Sequence, residues 1–192
     1  MPPQLLSYGK VDIGSHSCPN KLIYGHPEDL GEIEPEFIQY GKPVEGMDFD
    51  VAMHARARTS FGDVRNWSPD KWQQLADKLV SQGLSVVSIG TSSDSFFPEG
   101  TTKYNDIPLH QLSNVFANSR VGVGTSSGPM HLMSLCKLPH VVWSSDSRNQ
   151  ERYEINWNPL DTPVNFLPGA EIDLEVDKIY REVIETMETS NV

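Results

Sequence analysis

Two cysteines in 192 residues, Cys18 and Cys136, are too few for a disulfide framework. Cys136 sits among apolar residues, where a buried free thiol is the expected state. Basic residues are scarce as well: 15 Lys and Arg stand against 26 Asp and Glu, a formal net charge of -11. A surface of that sign repels phosphate backbones, so general binding to nucleic acid or anionic membranes is not expected. A local basic pocket stays compatible, because charges farther than ~10 Å are screened. No run approaches the roughly 18 apolar residues of a membrane span, and Met1-Pro2-Pro3-Gln4 leads into no long apolar stretch. A cytoplasmic protein is expected.

Several familiar motifs are missing too. Neither G-x-G-x-x-G nor G-x-x-x-x-G-K-[ST] occurs, which argues against standard dinucleotide and P-loop sites. There is no C-x-x-C and no H-E-x-x-H, so no metal site is expected. One G-x-S-x-G spacing exists at Gly124-Thr125-Ser126-Ser127-Gly128. That elbow needs an acid and then a histidine later in the chain, and no histidine follows Asp146.

The chain is 38% hydrophobic and 21% charged, a globular composition of a length that suits one ordinary domain. Residues 1–47 are rich in Gly, Pro and acidic residues and read as an irregular N-terminal extension. From residue 48 the pattern becomes regular. Residues 49–54 read as a buried strand. Ser68-Pro69-Asp70 is a helix start, followed by an apolar stripe of Trp72, Leu75, Ala76, Leu79 and Val80 and a stop at Gly83. Strands are expected at 84–89, 104–107, 120–124, 140–143 and 164–167, with a polar loop at 91–100. Helices are expected from Pro108, over 129–138, and from a cap at Asp173 through an apolar stripe that ends at Met187.

Short strands, apolar throughout, that alternate with helices are the mark of a mostly parallel sheet covered on both faces. With right-handed crossovers this is a doubly wound, Rossmann-like α/β domain over 48–192. Ligands of such sheets bind at the carboxyl ends of the strands, where the strand order reverses.

Two strand ends carry unusual chemistry. In Ser126-Ser127-Gly128-Pro129-Met130-His131 a strand runs through small hydroxyl residues straight into a helix. Small residues let the backbone approach a ligand, and free N–H groups with the helix dipole favour an anion there. An ordinary Ser-capped helix fits the same spacing. His131 lies one turn in, close enough to point back at such a ligand; a packed histidine fits equally. The second end is His54-Ala55-Arg56-Ala57-Arg58, with Arg65 seven residues on from Arg58. Guanidinium groups grip phosphate with two prongs and stay charged. Pairing with Asp50, Asp63 or Asp70 is the alternative for any one of these arginines.

Taken together, residues 50–167, about three fifths of the chain, resemble the C-terminal, nucleotide-sugar-binding domain of glycosyltransferase family 9, the ADP-heptose:lipopolysaccharide heptosyltransferases. The resemblance rests on Arg65-Asn66-Trp67-Ser68-Pro69, like that family's basic residue ahead of Trp-Pro, and on Ser126-Ser127-Gly128-Pro129-Met130-His131-Leu132-Met133. It implies half of a GT-B fold that grips a nucleotide-diphosphate sugar without a metal or other cofactor. Ser127, Gly128 and Met130 would supply donors to phosphate, Arg65 would clamp it, and Arg56 and Arg58 fall in the matching phosphate loop. The family's aspartate at the head of the second motif is Ser126 here, which removes a negative charge. Family members also carry an N-terminal acceptor domain, for which the residues before the first strand are too few. Either a partner chain or a second copy brings the acceptor, or this chain is a module that binds without transferring. His54 and Asp12 are both open as substitutes for the base.

Overall fold

Strand β1, Phe49–Arg56, is the centre of the fold, with every residue from Val51 onward buried. The computed structural model describes residues 39–58, 66–146, 148–169 and 174–190. Six more strands follow: β2 (Val86–Gly90), β3 (Ser95–Phe96), β4 (Thr102–Asn105), β5 (Ser119–Thr125), β6 (His140–Ser144) and β7 (Val164–Pro168). The helices are α1 (Pro69–Ser81), α2 (Leu109–Ala117), α3 (Gly128–Leu135), the short α4 (Arg148–Glu151) and α5 (Val176–Thr189). The sheet runs β4-β2-β1-β5-β6-β7 and is parallel along that path; among the described residues only β3 is antiparallel, on the end of β1. Strand order therefore reverses between β1 and β5. This is the Rossmann-like α/β architecture that alternating strands and helices predict.

Alternation along the strands feeds two cores. Val51, Met53 and Ala55 face Trp72, Leu75 and Leu79 of α1 and Ile179 and Val183 of α5. Ala52 and Val87 face the other way, onto Val115 and Phe116 of α2 and Met130 and Met133 of α3. Both faces being covered is why the strands carry no polar alternation. Trp67, Trp72 and Trp143 pack mutually, with ring centroids 5.0 to 5.5 Å apart. Trp67 also donates its indole N–H to the Leu174 carbonyl at 2.9 Å, which ties the segment ahead of α1 to the start of the last helix.

Local signals act as their chemistry dictates at α1. Ser68 accepts from the Lys71 N–H at 3.3 Å, Pro69 takes the first position, and Gly83 leaves the helix at φ +80°. Elsewhere the structure corrects the expected boundaries. The helix expected to reach Leu138 stops at Leu135, because Lys137 turns to φ +56° and Pro139 follows. A residue before proline is pushed out of helical geometry, and the turn drops Leu138 into the core. The loop expected at 91–100 contains β3, and a π-helical turn, Arg152–Asn156, extends α4. The expected cap Asp173 lies outside the described residues; Glu175 stands at the start of α5 with no side-chain capping bond.

Residues 1–38, most of the expected N-terminal extension, lie outside the described residues, as do Cys18 and Asp12. Residues 39–47 are fastened to the sheet's helices. Tyr40 N–H donates to the Leu135 carbonyl at 2.8 Å and Val44 N–H to Asn118 Oδ1 at 3.0 Å. Among the described residues no helix is long and apolar enough to cross a membrane.

Candidate functional site

The carboxyl ends of β1 and β5 lie side by side at the point where strand order reverses, with His54 in register with Gly124. Helix α3 sits directly on β5 because β5 has glycines beneath it. A Cβ at Gly124 would lie 2.5 Å from Met130 Sδ and 3.1 Å from the His54 carbonyl oxygen. The missing side chain is what brings the start of α3 down beside the end of β1.

A third strand end closes the site. Gly90 ends β2 at φ +148°, and any side chain there would run into Ser95. The following loop folds back so that Arg56 pairs with Ser95 and Ala55 with Phe96, while Ala57 N–H donates to the Asp94 carbonyl at 2.7 Å. The result is a cavity of about 400 Å³. Its polar lining includes His54, Arg56, Arg58, Ser126, Ser127 and Gly128. Ile107, Leu109 and Leu112 add apolar lining to the same cavity, with Leu109 73% exposed.

The polar lining is organised by hydrogen bonds. Arg56 is only 5% exposed and donates to Asn66 Oδ1; Asn66 in turn donates to the Arg58 carbonyl at 2.9 Å. Arg58 reaches the Asp94 carboxylate at 3.9 Å, a half-exposed pair of small energetic weight. Of the acids that are sequence candidates for pairing, Asp50 holds Arg120 at 2.8 Å instead, and Asp63 lies outside the described residues. His54 Nδ1 lies 2.9 Å from Ser127 Oγ, and its Nε2 lies 3.5 Å from Ser95 Oγ. Burial, helped by the Arg56 charge, lowers this imidazole to about 4, so it is neutral at neutral pH. Ser127 stands at the cap position of α3 but makes no side-chain capping bond. The opening N–H groups of α3 therefore lack the side-chain acceptor that Ser68 gives α1.

The structure thus gathers Arg56, Arg58, Ser126, Ser127 and Gly128 at one cavity. Ser126 is buried, with its N–H donated to the Trp143 carbonyl and Tyr153 Oη 3.4 Å from its Oγ. Met130 turns its side chain into the core under β5, which leaves only its backbone near the helix start. His131 is turned away from the cavity. Its ring stacks on Tyr153 at 4.0 Å and lies 4.6 Å from Trp157, and burial with the charges of His140 and Arg152 lowers it to about 3. Arg65 lies outside the described residues.

Sequence reasoning passed over Asn66, Asp94, Ser95 and the apolar wall. The run Thr91-Ser92-Ser93-Asp94 after an apolar strand was a usable signal, since it marks another strand end of the parallel sheet. Tyr153, whose hydroxyl accepts from the Ser127 N–H at 3.1 Å, has none, because a π-helical turn has no recognisable period. Among the described residues no group of three or more His, Cys, Asp or Glu is placed to hold a metal ion.

No family model and no curated protein matches the sequence. Solved structures do match the fold. E. coli ADP-heptose lipopolysaccharide heptosyltransferase II is 17% identical, with 78% of this chain and 49% of that chain covered and a TM-score of 0.59. E. coli heptosyltransferase WaaC with ADP is 16% identical, with coverages of 83% and 53% and a TM-score of 0.61. A glycosyl transferase family 9 structure from Veillonella parvula is 14% identical, with coverages of 95% and 62% and a TM-score of 0.60. The chain spans between 49 and 62% of the length of these structures and has a glycosyltransferase-like fold.

Proposed function

We propose that this chain binds a nucleotide-activated sugar in the cavity between β1, β5 and α3 and serves metal-independent glycosyl transfer to an acceptor. One observation carries the reading: Arg56, Arg58 and the uncapped start of α3 line a single cavity that also has apolar lining. Two guanidinium groups and a helix dipole suit a diphosphate, and the apolar wall of Ile107, Leu109 and Leu112 suits a flat, weakly polar group. The fold likeness to heptosyltransferases favours the same class of ligand.

Glycosyl transfer breaks the bond between the anomeric carbon and a diphosphate oxygen, and negative charge grows on the departing diphosphate. Arg56, Arg58 and the α3 donors would meet that charge in a site already ordered, which is where catalytic stabilisation is most effective. A second reading, binding without transfer, is favoured by the scarcity of bases. Among the described lining residues Asp94 is the sole carboxylate and it faces Arg58, while both ring nitrogens of His54 face serine hydroxyls.

The test is thermal denaturation against ADP, GDP, UDP, CDP and their sugar conjugates. A ligand at a hundredfold excess over its Kd adds about 2.7 kcal/mol, roughly 5–10 °C in Tm for a domain of this size. If none of the nucleotides moves Tm, the cavity is not a nucleotide site. Where one does, release of the diphosphate from its sugar conjugate separates transfer from binding alone.

A further inference from the structure

Two serines stand at the cap position of a helix here, in extended backbone, and they behave differently. Ser68 closes the start of α1 by accepting from the Lys71 N–H. Ser127 does not close α3; its Oγ lies 2.9 Å from Nδ1 of His54, 73 residues away in sequence. The pairing of β1 with β5 sets this contact, because His54 is in register with Gly124, three residues before Ser127. The ring is 6% exposed, its other nitrogen lies 3.5 Å from Ser95 Oγ, and Ser95 and Ser127 line the cavity with it.

We propose that His54 is a positioning residue for the anion end of the cavity: it holds the Ser127 hydroxyl off the helix backbone, leaving the α3 N–H donors to the ligand. This rests on the reading that the cavity takes a nucleoside diphosphate. A serine freed from its partner turns to the nearest helix N–H groups, which is the behaviour of a serine at this position generally. It would then compete with the phosphate for the same donors. Either neutral tautomer of the ring satisfies both serine hydroxyls, one nitrogen accepting and the other donating. The low titration point of His54 is consistent with a neutral ring at working pH. Arg56 is the charged neighbour that faces it along the cavity.

The experiment measures Kd by calorimetry for the tightest of ADP, GDP, UDP and CDP and for the matching nucleoside. Their ratio isolates what the phosphates contribute. His54→Asn keeps a polar atom near Nδ1, whereas His54→Gln places one near Nε2, and both remain polar and compact. The ratio is expected to stay near that of the native protein in His54→Asn. In His54→Gln it should fall on the order of tenfold, the worth of a helix cap, with nucleoside affinity unchanged. A ratio retained in His54→Gln, or lost equally in both variants, overturns the positioning role while leaving the nucleotide site intact. Equal affinity of the native protein for diphosphate and nucleoside overturns the proposed function along with it. Nitrogen NMR of the native protein needs no variant: the His54 Nδ1 signal should move on adding the diphosphate and stay put on adding the nucleoside. An Nδ1 signal indifferent to the diphosphate also overturns the proposal.

Discussion

Arginine 56 is buried to 5% exposure at the end of a central strand, and its hydrogen bond to Asn66 fixes the guanidinium before any ligand arrives. A charged donor held in place loses little freedom on binding, so its removal is felt in full. Arg56→Ala is expected to raise the Kd for the nucleoside diphosphate between roughly 10- and 100-fold, the range for hydrogen bonds to charged groups. Far-ultraviolet circular dichroism should be unchanged; a variant that binds as well as the native protein removes Arg56 from the site. Arg58 is half-exposed beside Asp94, and its effect should be smaller. At this scale the sequence was readable in part. Arginines and small hydroxyl residues at strand ends announced themselves by type and place. The direction of His131 did not, because one turn into a helix a side chain points wherever the partner across the groove draws it. Here that partner is Tyr153.

Most elements were legible because their signals are local. Ser68, Pro69 and Gly83 bracket α1 by the same chemistry in a peptide as in a protein, and the apolar runs of β1, β5 and β6 have no reading other than buried strands. The elements missed are set by tertiary contact. The two residues of β3 pair only because β1 offers an unpaired edge at Ala55 and Arg56, and the π-helical turn carries no repeating pattern. Helix α3 depends on its neighbour most directly. Gly124→Ala would place a methyl group 2.5 Å from Met130 Sδ, inside a packed core, and force α3 away from β5. The expected cost is about 1–3 kcal/mol in urea denaturation, as for other overpacked cores, with a parallel loss of diphosphate affinity. Affinity that survives while stability falls would show that the ligand does not use the start of α3.

Across the whole molecule, His54 and His140 share one property: burial lowers both to about 4. Each is neutral when folded and takes up a proton when unfolded once the pH falls below the ordinary value of about 6.5. The unfolded state then binds more protons, so stability is complete above that value and declines as pH drops toward 4. Between pH 7 and pH 5 the two together should forfeit about 4 kcal/mol of unfolding free energy, near 2 kcal/mol each. His131, lowered to about 3, acts in the same direction. Urea midpoints measured across that interval check this, and a flat profile would contradict the burial of these rings. The fold-back that ends β1 has a different kind of consequence. Ala55, Arg56 and Ala57 are tied to residues 94–96 through main-chain groups, so that part of the rim is drawn by backbone, which every amino acid possesses. A contour drawn this way can persist through long divergence while its side chains are exchanged, provided the few positions that must stay empty of a side chain remain so. Such a construction leaves the choice of any ligand to be written in a handful of replaceable residues.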